Sequence, residues 1–222
     1  MAASRVRTDE DPLPSDRSLP ALAAAARTCR ACPLWENATR TVFGEGPPDA
    51  RVVLVGEQPG DREDRVGKPF VGPAGALLDE AMEEAGLDRR AVYVTNAVKH
   101  FKFEPRGKWR IHKKPNSREI AACRPWLDAE LAALAPDAVV LLGATAARAL
   151  LGPAARVGSE AHPVETSFAR FVIVTLHPAA VLRAGTEETR AAGRERLVRD
   201  LGAVARRLAR ERPEEKNRGP GR

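Results

Sequence analysis

The residues best suited to chemistry follow a short apolar run. Residues 52–55 (VVLV) contain no polar side chain, and Gly56, Glu57 and Gln58 come directly after them, with three more carboxylates in the next six positions. A packed core accepts so many charges only with partners, so we expect these side chains to face solvent or a ligand. The run itself is typical of a parallel strand buried on both faces. The end of this strand is therefore the first candidate for a functional site.

Three later apolar runs also lead to residues with chemical uses. Asn96 lies in the second run, Gly143 follows the third, and His177 follows the fourth. Ligands of open α/β sheets bind outside the carboxyl ends of the strands, so we expect these three residues and Glu57 to converge. The sequence therefore predicts one shared pocket.

The elements that must position these residues alternate between strands and helices. This alternation predicts a single α/β domain with a central, mostly parallel four-stranded sheet flanked by helices. The polar chain ends lack periodicity, and there we expect a disordered leader and a disordered tail. The predicted strands are 52–55, 91–98, 138–142 and 171–176; the predicted helices are 19–28, 73–87, 117–134, 144–151 and 186–212; the leader is 1–17, the domain 18–212 and the tail 213–222.

The composition fits one globular domain with an anionic partner. The 222 residues are 43% hydrophobic and carry a formal net charge of +6, with a pI near 9.6. The positive charge favours a polyanionic partner such as nucleic acid. No segment is typical of a secretory signal or a membrane span. We therefore expect a cytoplasmic, monomeric protein with no membrane partner.

A nucleotide-binding loop is the first alternative to test against the sequence. Gly67 and Lys68 follow a predicted strand, as in phosphate-binding loops, but Pro69 stands where Ser or Thr is required. Arg62 occupies the position of the first glycine of that motif, and GxGxxG is absent. The sequence therefore does not favour nucleoside triphosphate hydrolysis.

Cysteine spacing indicates a second candidate site. The chain has three cysteines, and Cys29 and Cys32 have the spacing of metal ligands, which fits a reducing compartment better than a disulfide framework. Cys123 and His100 complete a four-ligand set if the fold brings them to this pair. Spacing alone supports equally well a buried helical Cys123 and an exposed, unliganded His100.

Residues 99–114 (KHFKFEPRGKWRIHKK) combine basic side chains with Phe101, Phe103 and Trp109. Basic groups neutralise phosphates and aromatic rings stack on unpaired bases, so this segment suits a single-strand or flipped-base surface. The other interpretation is a solvated loop with a few packing aromatic residues, and this is the more common role of such a segment in an arbitrary protein. The predicted pocket nearby favours the nucleic-acid interpretation.

Four motifs taken together resemble the uracil-DNA glycosylase superfamily: GEQPGDREDRVGKPFVGPAG, YVTNAVKH, LLGATAA and HPAAVLR. They are most similar to the iron-sulfur family 4 enzymes and, in that neighbourhood, to UdgX-type proteins. Gln58 after Glu57, His100 in place of a cluster cysteine, and the inserted loop ending in KWRIH (108–112) carry the UdgX-type likeness. The resemblance covers residues 29–183 and implies a glycosylase-like fold acting on uracil-containing DNA, with single strands preferred.

The resemblance also implies a cofactor. Cys29, Cys32, His100 and Cys123 would hold a 4Fe-4S cluster, with His100 in place of a thiolate. The cluster would be structural and would hold the basic loop against the N-terminal helix, because the reaction needs no electron.

The resemblance assigns four residues to the base. Phe70 would stack on uracil, and Asn96 would donate to O4 and accept from N3–H, with the backbone near Gln58 also touching the base. Cytosine has the reverse pattern and would leave both amide groups unmatched. His177 would donate to O2, where negative charge develops as the base leaves.

The same resemblance implies a covalent step. Loss of uracil leaves oxocarbenium character at C1′ of the deoxyribose, and His112 would attack this carbon while Glu57 orients the imidazole and takes its proton. The product joins protein and DNA, so turnover would stop after one event. Two alternatives stay open: a conventional multiple-turnover glycosylase, and a non-catalytic binder of uracil or single strands.

DNA contacts are implied at Lys108, Arg110 and Arg183. Two departures from the family pattern bear on them. Trp109 replaces an arginine of the inserted loop, and Ala179 replaces the serine of the HPS motif. We expect these departures to change DNA affinity more than chemistry, with aromatic stacking by Trp109 as a substitute for a phosphate contact.

Overall fold

A computed structural model describes residues 13–210. Most of the predicted leader and the whole predicted tail lie outside the described residues, and residues 13–17 contain no helix or strand. In residues 13–210 no helix is long and apolar enough to cross a membrane. The strands are β1 (Val52–Gly56), β2 (Val92–Asn96), β3 (Phe103–Arg106), β4 (Trp109–His112), β5 (Ala138–Leu142) and β6 (Phe171–Thr175). The α-helices are α1 (Leu19–Ala26), α2 (Asp61–Val66), α3 (Pro73–Glu84), α4 (Ser117–Leu134), α5 (Gly143–Leu151), α6 (Pro178–Leu182) and α7 (Glu187–Arg210).

The central sheet confirms the predicted fold class. Its four strands are all parallel in the order β2-β1-β5-β6. Gly56 of β1 is paired with Asn96 of β2, and Leu142 of β5 with Thr175 of β6. The carboxyl ends of the strands therefore lie along one edge, which is where the sequence predicts the pocket.

Alternate residues of β1 pack against different layers of helices. Leu54 belongs to a buried cluster that includes residues of α3 and α7, whereas Val53 belongs to a cluster that includes residues of α4 and α5. Both side chains are fully buried. This two-sided burial explains the continuous apolar runs, because a strand covered on both faces has no solvent side to carry polar residues.

Residues 99–114 form more structure than the predicted loop. Strands β3 and β4 pair antiparallel as a two-stranded hairpin, with Phe103 opposite His112 and Arg106 opposite Trp109. Gly107 in the turn has φ +57°, a conformation that glycine adopts without steric cost. The basic residues obscure the alternation of faces along these short strands, so the pattern does not indicate them.

Helix α2 is also absent from the sequence prediction. Its first turn holds Asp61, Glu63 and Asp64, and acidic side chains stabilise the positive end of a helix. Glu63 accepts from the backbone N–H of Gly60 at 3.1 Å, which caps this first turn. The expectation that these carboxylates face solvent or a ligand is therefore wrong for Glu63 and Asp64, which are buried in this six-residue helix and accept hydrogen bonds from protein groups.

Candidate active site

One cavity lies at the carboxyl edge of the sheet and holds about 290 Å³. The structure brings together there all four strand-end residues of the sequence prediction. Lys114 and Thr145 also line the cavity, and the sequence pattern does not single them out. The predicted site residues that line it are Glu57, Gln58, Phe70, Asn96, His112, His177 and Arg183.

A buried amide and an aromatic ring form one wall of the cavity. Asn96 is 3% exposed at the end of β2, and Phe70 is 9% exposed. Gly56 lies between them, where a Cβ atom would clash with Asn96 Oδ1 and would lie 2.7 Å from Phe70 Cζ. Phe70 has φ +55°, and Gly75 lies so close to its carbonyl group that any side chain there would clash. Two glycines therefore leave the room that the amide and the ring occupy.

His177 is the N-cap residue of α6, and one of its ring nitrogens is hydrogen-bonded to the backbone. Its Nδ1 accepts from the backbone N–H of Ala179 at 3.1 Å, so the neutral ring carries its proton on Nε2. Burial, with help from the charges of Arg183 and His112, lowers the pKa of His177 to about 4. Near neutral pH this imidazole is therefore an uncharged donor in the cavity.

Glu57 is held between two elements. One carboxylate oxygen accepts a hydrogen bond from the hydroxyl of Thr145 on α5. The other oxygen lies 3.4 Å from Nε2 of His112, which ends β4. The backbone carbonyl of Glu57 accepts from the N–H of Val98 at 3.0 Å. These contacts direct the carboxylate of Glu57 toward His112.

The side chain of Gln58 connects the sheet edge to the hairpin. Its Nε2 lies 3.2 Å from the carbonyl of Lys102, 3.0 Å from that of Lys113 and 2.9 Å from Nε2 of His112. Its Oε1 accepts from the N–H of Lys102 at 3.1 Å. An amide nitrogen only donates, so His112 Nε2 accepts in this contact and has a lone pair available.

The imidazole of His112 is kept neutral. Burial lowers its pKa, and the charges of Arg183 and Lys114 lower it further, while the charge of Glu57 acts in the opposite direction. A neutral imidazole has a free nitrogen lone pair, whereas imidazolium has none. The electrostatic surroundings thus favour the nucleophilic form of His112.

Arg110, for which the resemblance implies a DNA contact, is paired with carboxylates of the protein itself. Its guanidinium pairs with Asp61 and Asp64 on α2, the latter at 2.6 Å. It also lies over the rings of Phe101 and Phe103, 5.4 and 5.0 Å from their centroids. The Arg110 side chain is 14% exposed and holds the hairpin against α2.

The other two residues with implied DNA contacts are open to solvent or to the cavity. Arg183 directly follows α6 and lines the cavity. Lys108 lies in the hairpin turn, with its Nζ 5.5 Å from the ring centroid of Trp109. Arg183 is thus open to the cavity, and Lys108 is open to solvent.

The four candidate cluster ligands line one small cavity between α1, α4 and the segment after β2: Cys29, Cys32, His100 and Cys123. Trp126 Nε1–H donates to Cys29 Sγ at 3.2 Å, and the backbone N–H of Lys99 donates to Cys123 Sγ at 3.3 Å. Among residues 13–210 no three His, Cys, Asp or Glu side chains are grouped to hold a single metal ion. A 4Fe-4S cluster places each ligand on a different iron, and N–H donors directed at sulfur suit it, so this donor set fits.

Comparisons with known proteins agree with this geometry. The sequence profile of the uracil DNA glycosylase superfamily matches residues 43–202. The chain belongs to the uracil-DNA glycosylase superfamily. It is 40% identical to the type-4 uracil-DNA glycosylase of Thermotoga maritima over 74% of this chain and 83% of that protein. It is 36% identical to the type-4 enzyme of Pyrobaculum aerophilum over 71% of this chain and 81% of that protein.

A type-5 relative is matched over a smaller share of both chains. The type-5 uracil-DNA glycosylase of Thermus thermophilus is 36% identical over 56% of this chain and 59% of that protein. The superfamily predicted from the motifs is thus confirmed. The UdgX-type character and the 4Fe-4S cluster stay predictions.

Proposed function

We propose that this chain is a uracil-DNA glycosylase that excises uracil and then becomes linked to the abasic deoxyribose through His112. Membership of the uracil-DNA glycosylase superfamily supports the excision. The observation that carries the covalent step is the placement of His112 Nε2, 3.4 Å from Glu57, in the same cavity as Asn96 and His177. Base recognition and a candidate nucleophile therefore face one space.

Uracil enters the cavity with its Watson–Crick edge toward Asn96 and its ring against Phe70. The amide donates to O4 and accepts from N3–H, and cytosine leaves both partners unmatched. Each unmatched buried group costs about 1–3 kcal/mol. Because Asn96 is almost fully buried, solvent does not replace the missing partners.

Excision breaks the bond between C1′ and N1 of uracil. The electron pair leaves with the base, and the negative charge that develops at O2 accepts a hydrogen bond from His177 Nε2–H. His177 serves as a neutral donor because its Nδ1 is occupied by the Ala179 N–H. Donors positioned for a developing charge are among the strongest sources of catalysis.

His112 then captures the sugar cation. Its Nε2 carries the lone pair and forms the bond to C1′, which gives an N-glycosyl imidazolium with its proton on Nδ1. Glu57 takes no proton from Nε2; it orients the ring and stabilises the positive charge, and loss of the Nδ1 proton to solvent leaves the neutral N-glycoside. Thr145 fixes the other oxygen of Glu57, and Gln58 holds the ring. The linkage uses up the nucleophile, so the protein acts once.

The second part of the proposal is a structural 4Fe-4S cluster held by Cys29, Cys32, His100 and Cys123. The N–H groups directed at two of the sulfur atoms support it. When bound, the cluster would join α1 and α4 to the segment that leads into the hairpin. We further propose that the protein acts as a monomer and prefers single-stranded DNA, in line with its basic hairpin.

A denaturing gel tests the covalent step. The protein is incubated with a uracil-containing single strand and with the same strand carrying thymine. We expect a shifted protein–DNA band with uracil only, absent for His112→Ala and retained for His162→Ala, which removes an exposed histidine.

Two other results would select the alternatives. Abasic product in excess of protein, with no shifted band, would indicate a conventional multiple-turnover glycosylase, as the type-4 names of the relatives favour. Binding of uracil-containing strands without uracil release would indicate a non-catalytic binder. Purified protein that is colourless and contains zinc would contradict the cluster.

A further inference from the structure

The two faces of the β3–β4 hairpin have different surroundings. Side chains alternate along a strand, so Arg110 and His112 share one face and Trp109 and Ile111 the other. The first face packs on α2 and the cavity. On the second, Trp109 is 65% exposed and Ile111 is 43% exposed. We call this second face, with Arg106 and Lys108, the outer face of the hairpin.

The exposure of Trp109 and Ile111 indicates that the outer face of the hairpin binds a partner. A tryptophan side chain carries more apolar surface than most others, and neighbouring exposed apolar residues on one face commonly mark a binding surface. Trp109 and Ile111 lie two residues apart on one strand, so they form an apolar patch on one face. Trp109 is the most exposed large apolar residue of residues 13–210.

The charges around the patch indicate what the partner is. Arg106 and Lys108 are exposed, and Lys108 Nζ lies 5.5 Å from the Trp109 ring. Glu104 is the acidic residue of the outer face, and Lys113 pairs with it at 2.6 Å. An aromatic ring beside exposed cations suits a nucleobase with its phosphates, because the ring stacks on the base and the cations bind the backbone.

The distance from the cavity indicates which part of the DNA reaches the patch. Trp109 begins β4 and His112 ends it, and a strand rises about 3.3 Å per residue, so the two Cα atoms lie roughly 10 Å apart. That is the length of a few nucleotides. A strand whose uracil occupies the cavity therefore has flanking nucleotides within reach of the hairpin turn, where Lys108 and Trp109 lie.

We propose that the outer face binds the substrate strand beside the uracil, with Trp109 stacking on a flanking unpaired base. This inference rests on the proposed function only for the position of the uracil. It explains a preference for single strands, because a paired and stacked base does not offer its face to Trp109.

Binding of uracil-free single strands tests the proposal independently of excision. The full-length protein is titrated with a fluorescent thymine oligonucleotide and with the same oligonucleotide carrying tetrahydrofuran abasic residues in place of its bases. Trp109→Leu should weaken binding of the first roughly 5- to 150-fold, the factor that stacking on one base corresponds to. It should leave binding of the abasic strand unchanged.

Salt dependence separates stacking from charge. Trp109→Leu should leave the slope of log affinity against log salt unchanged, whereas Lys108→Met should reduce it by about 0.7, as expected for one phosphate contact with a single strand. Trp109→Phe should keep most of the affinity, because the phenyl ring still stacks.

Two results would overturn the proposal. In the first, Trp109→Leu binds the thymine strand as tightly as the wild type. In the second, it loses the same factor on both strands, which would assign Trp109 to the hairpin's own structure. A protein that binds as predicted but releases no uracil would refute the proposed function and leave this surface in place.

Discussion

The sheet edge and the hairpin meet at the same cavity but are held in place by different means. Asn96 and Glu57 come at the ends of strands whose register pairs Gly56 with Asn96, and the backbone pairing continues from Val98 N–H to Glu57 O. His112 lies on a two-stranded sheet separate from the central one. Side chains, chiefly Gln58 and Arg110, attach that sheet to the domain.

Each region also depends on a cation with carboxylate partners, and the two cations differ in burial. Lys99 pairs with Glu130, and these side chains are 1% and 0% exposed. Lys99 Nζ also donates to the backbone carbonyl of Asn96 at 2.8 Å. Arg110 is 14% exposed; its partner Asp64 is buried, and its partner Asp61 is 46% exposed. The sheet edge thus has its ion pair wholly in the core, whereas the hairpin's cation reaches one partner at the surface.

This difference separates two parts of the proposed chemistry. The residues that we propose to recognise and release uracil lie at the edge of the central sheet. The residue that we propose to capture the sugar lies on a separate two-stranded sheet attached through side chains. We therefore expect variants of the two cations to have different consequences.

The largest effect is expected for Lys99→Met. The substitution leaves the carboxylate of Glu130 buried without its cation, although Tyr93 and Thr95 still donate to it. Breaking a buried pair from one side typically costs about 3–5 kcal/mol. Chemical denaturation should show this loss in the free energy of unfolding, and Lys99→Met/Glu130→Gln should recover part of it. If the free energy of unfolding fell by less than about 1 kcal/mol, the expected difference between the Lys99 and Arg110 variants would be contradicted.

Arg110→Met should act on the covalent step. Without its guanidinium the hairpin loses its attachment to Asp61 and Asp64, and a nucleophile displaced by about 1 Å can lose roughly 10²-fold in rate. Single-turnover assays should show adduct formation slowed while uracil release stays within a few-fold. Arg190→Met, which breaks an exposed pair with Glu187, serves as the control. Equal losses in both steps would contradict the separation of the two regions.

The pH dependence of adduct formation is the third expected effect. Burial, Arg183 and Lys114 lower the pKa of His112 below its ordinary 6.5, so the neutral nucleophile persists as the pH falls through that value. The adduct formed per uracil released should stay constant from about pH 8 to below 6.5 and decline only in more acidic solution. Lys114→Met removes a neighbouring positive charge and should move this decline to higher pH. If adduct formation by the wild type declined with a midpoint above pH 6.5, the lowered pKa of His112 would be refuted.

The smallest effect is expected for Gly143→Ala at the sheet edge. Gly143 has φ +87°, and an added Cβ would lie 3.0 Å from Cβ of His177. The left-handed conformation alone costs an L-residue about 1–2 kcal/mol. Thermal unfolding should show this loss, together with slower uracil release as His177 shifts. Gly185→Ala, where an added Cβ meets nothing within 4 Å, should be neutral. If uracil release were unchanged in Gly143→Ala, the proposed role of His177 in excision would be contradicted.

The sheet and its edge could be predicted from the sequence because burial on both faces leaves an uninterrupted apolar run. The residue after each run then indicated where the cavity lies, and Asn96 and His177 line it. The hairpin could not be predicted, because its strands have four residues each and are rich in charge. The place of Arg110 was equally hidden, since a sequence does not reveal which carboxylates a cation will reach.

Two lining residues were missed for a related reason. Thr145 lies in a helix that begins at the strand end, and its hydroxyl reaches Glu57 only because α5 starts directly at Gly143. Lys114 lies within the basic segment, where charge density gives no reason to choose one lysine. The cysteine spacing was informative, since Cys29 and Cys32 line a cavity with His100 and Cys123. Whether that cavity binds a 4Fe-4S cluster stays a prediction.

The ratio of uracil released to protein present tests the central claim most directly. The protein is mixed with an excess of uracil-containing single strand, and free uracil and DNA-linked protein are counted in the same sample until release stops. We predict one uracil released and one adduct formed per active protein, with the DNA attached to the peptide that contains His112. Uracil release far in excess of protein, with no attached peptide, would contradict the account.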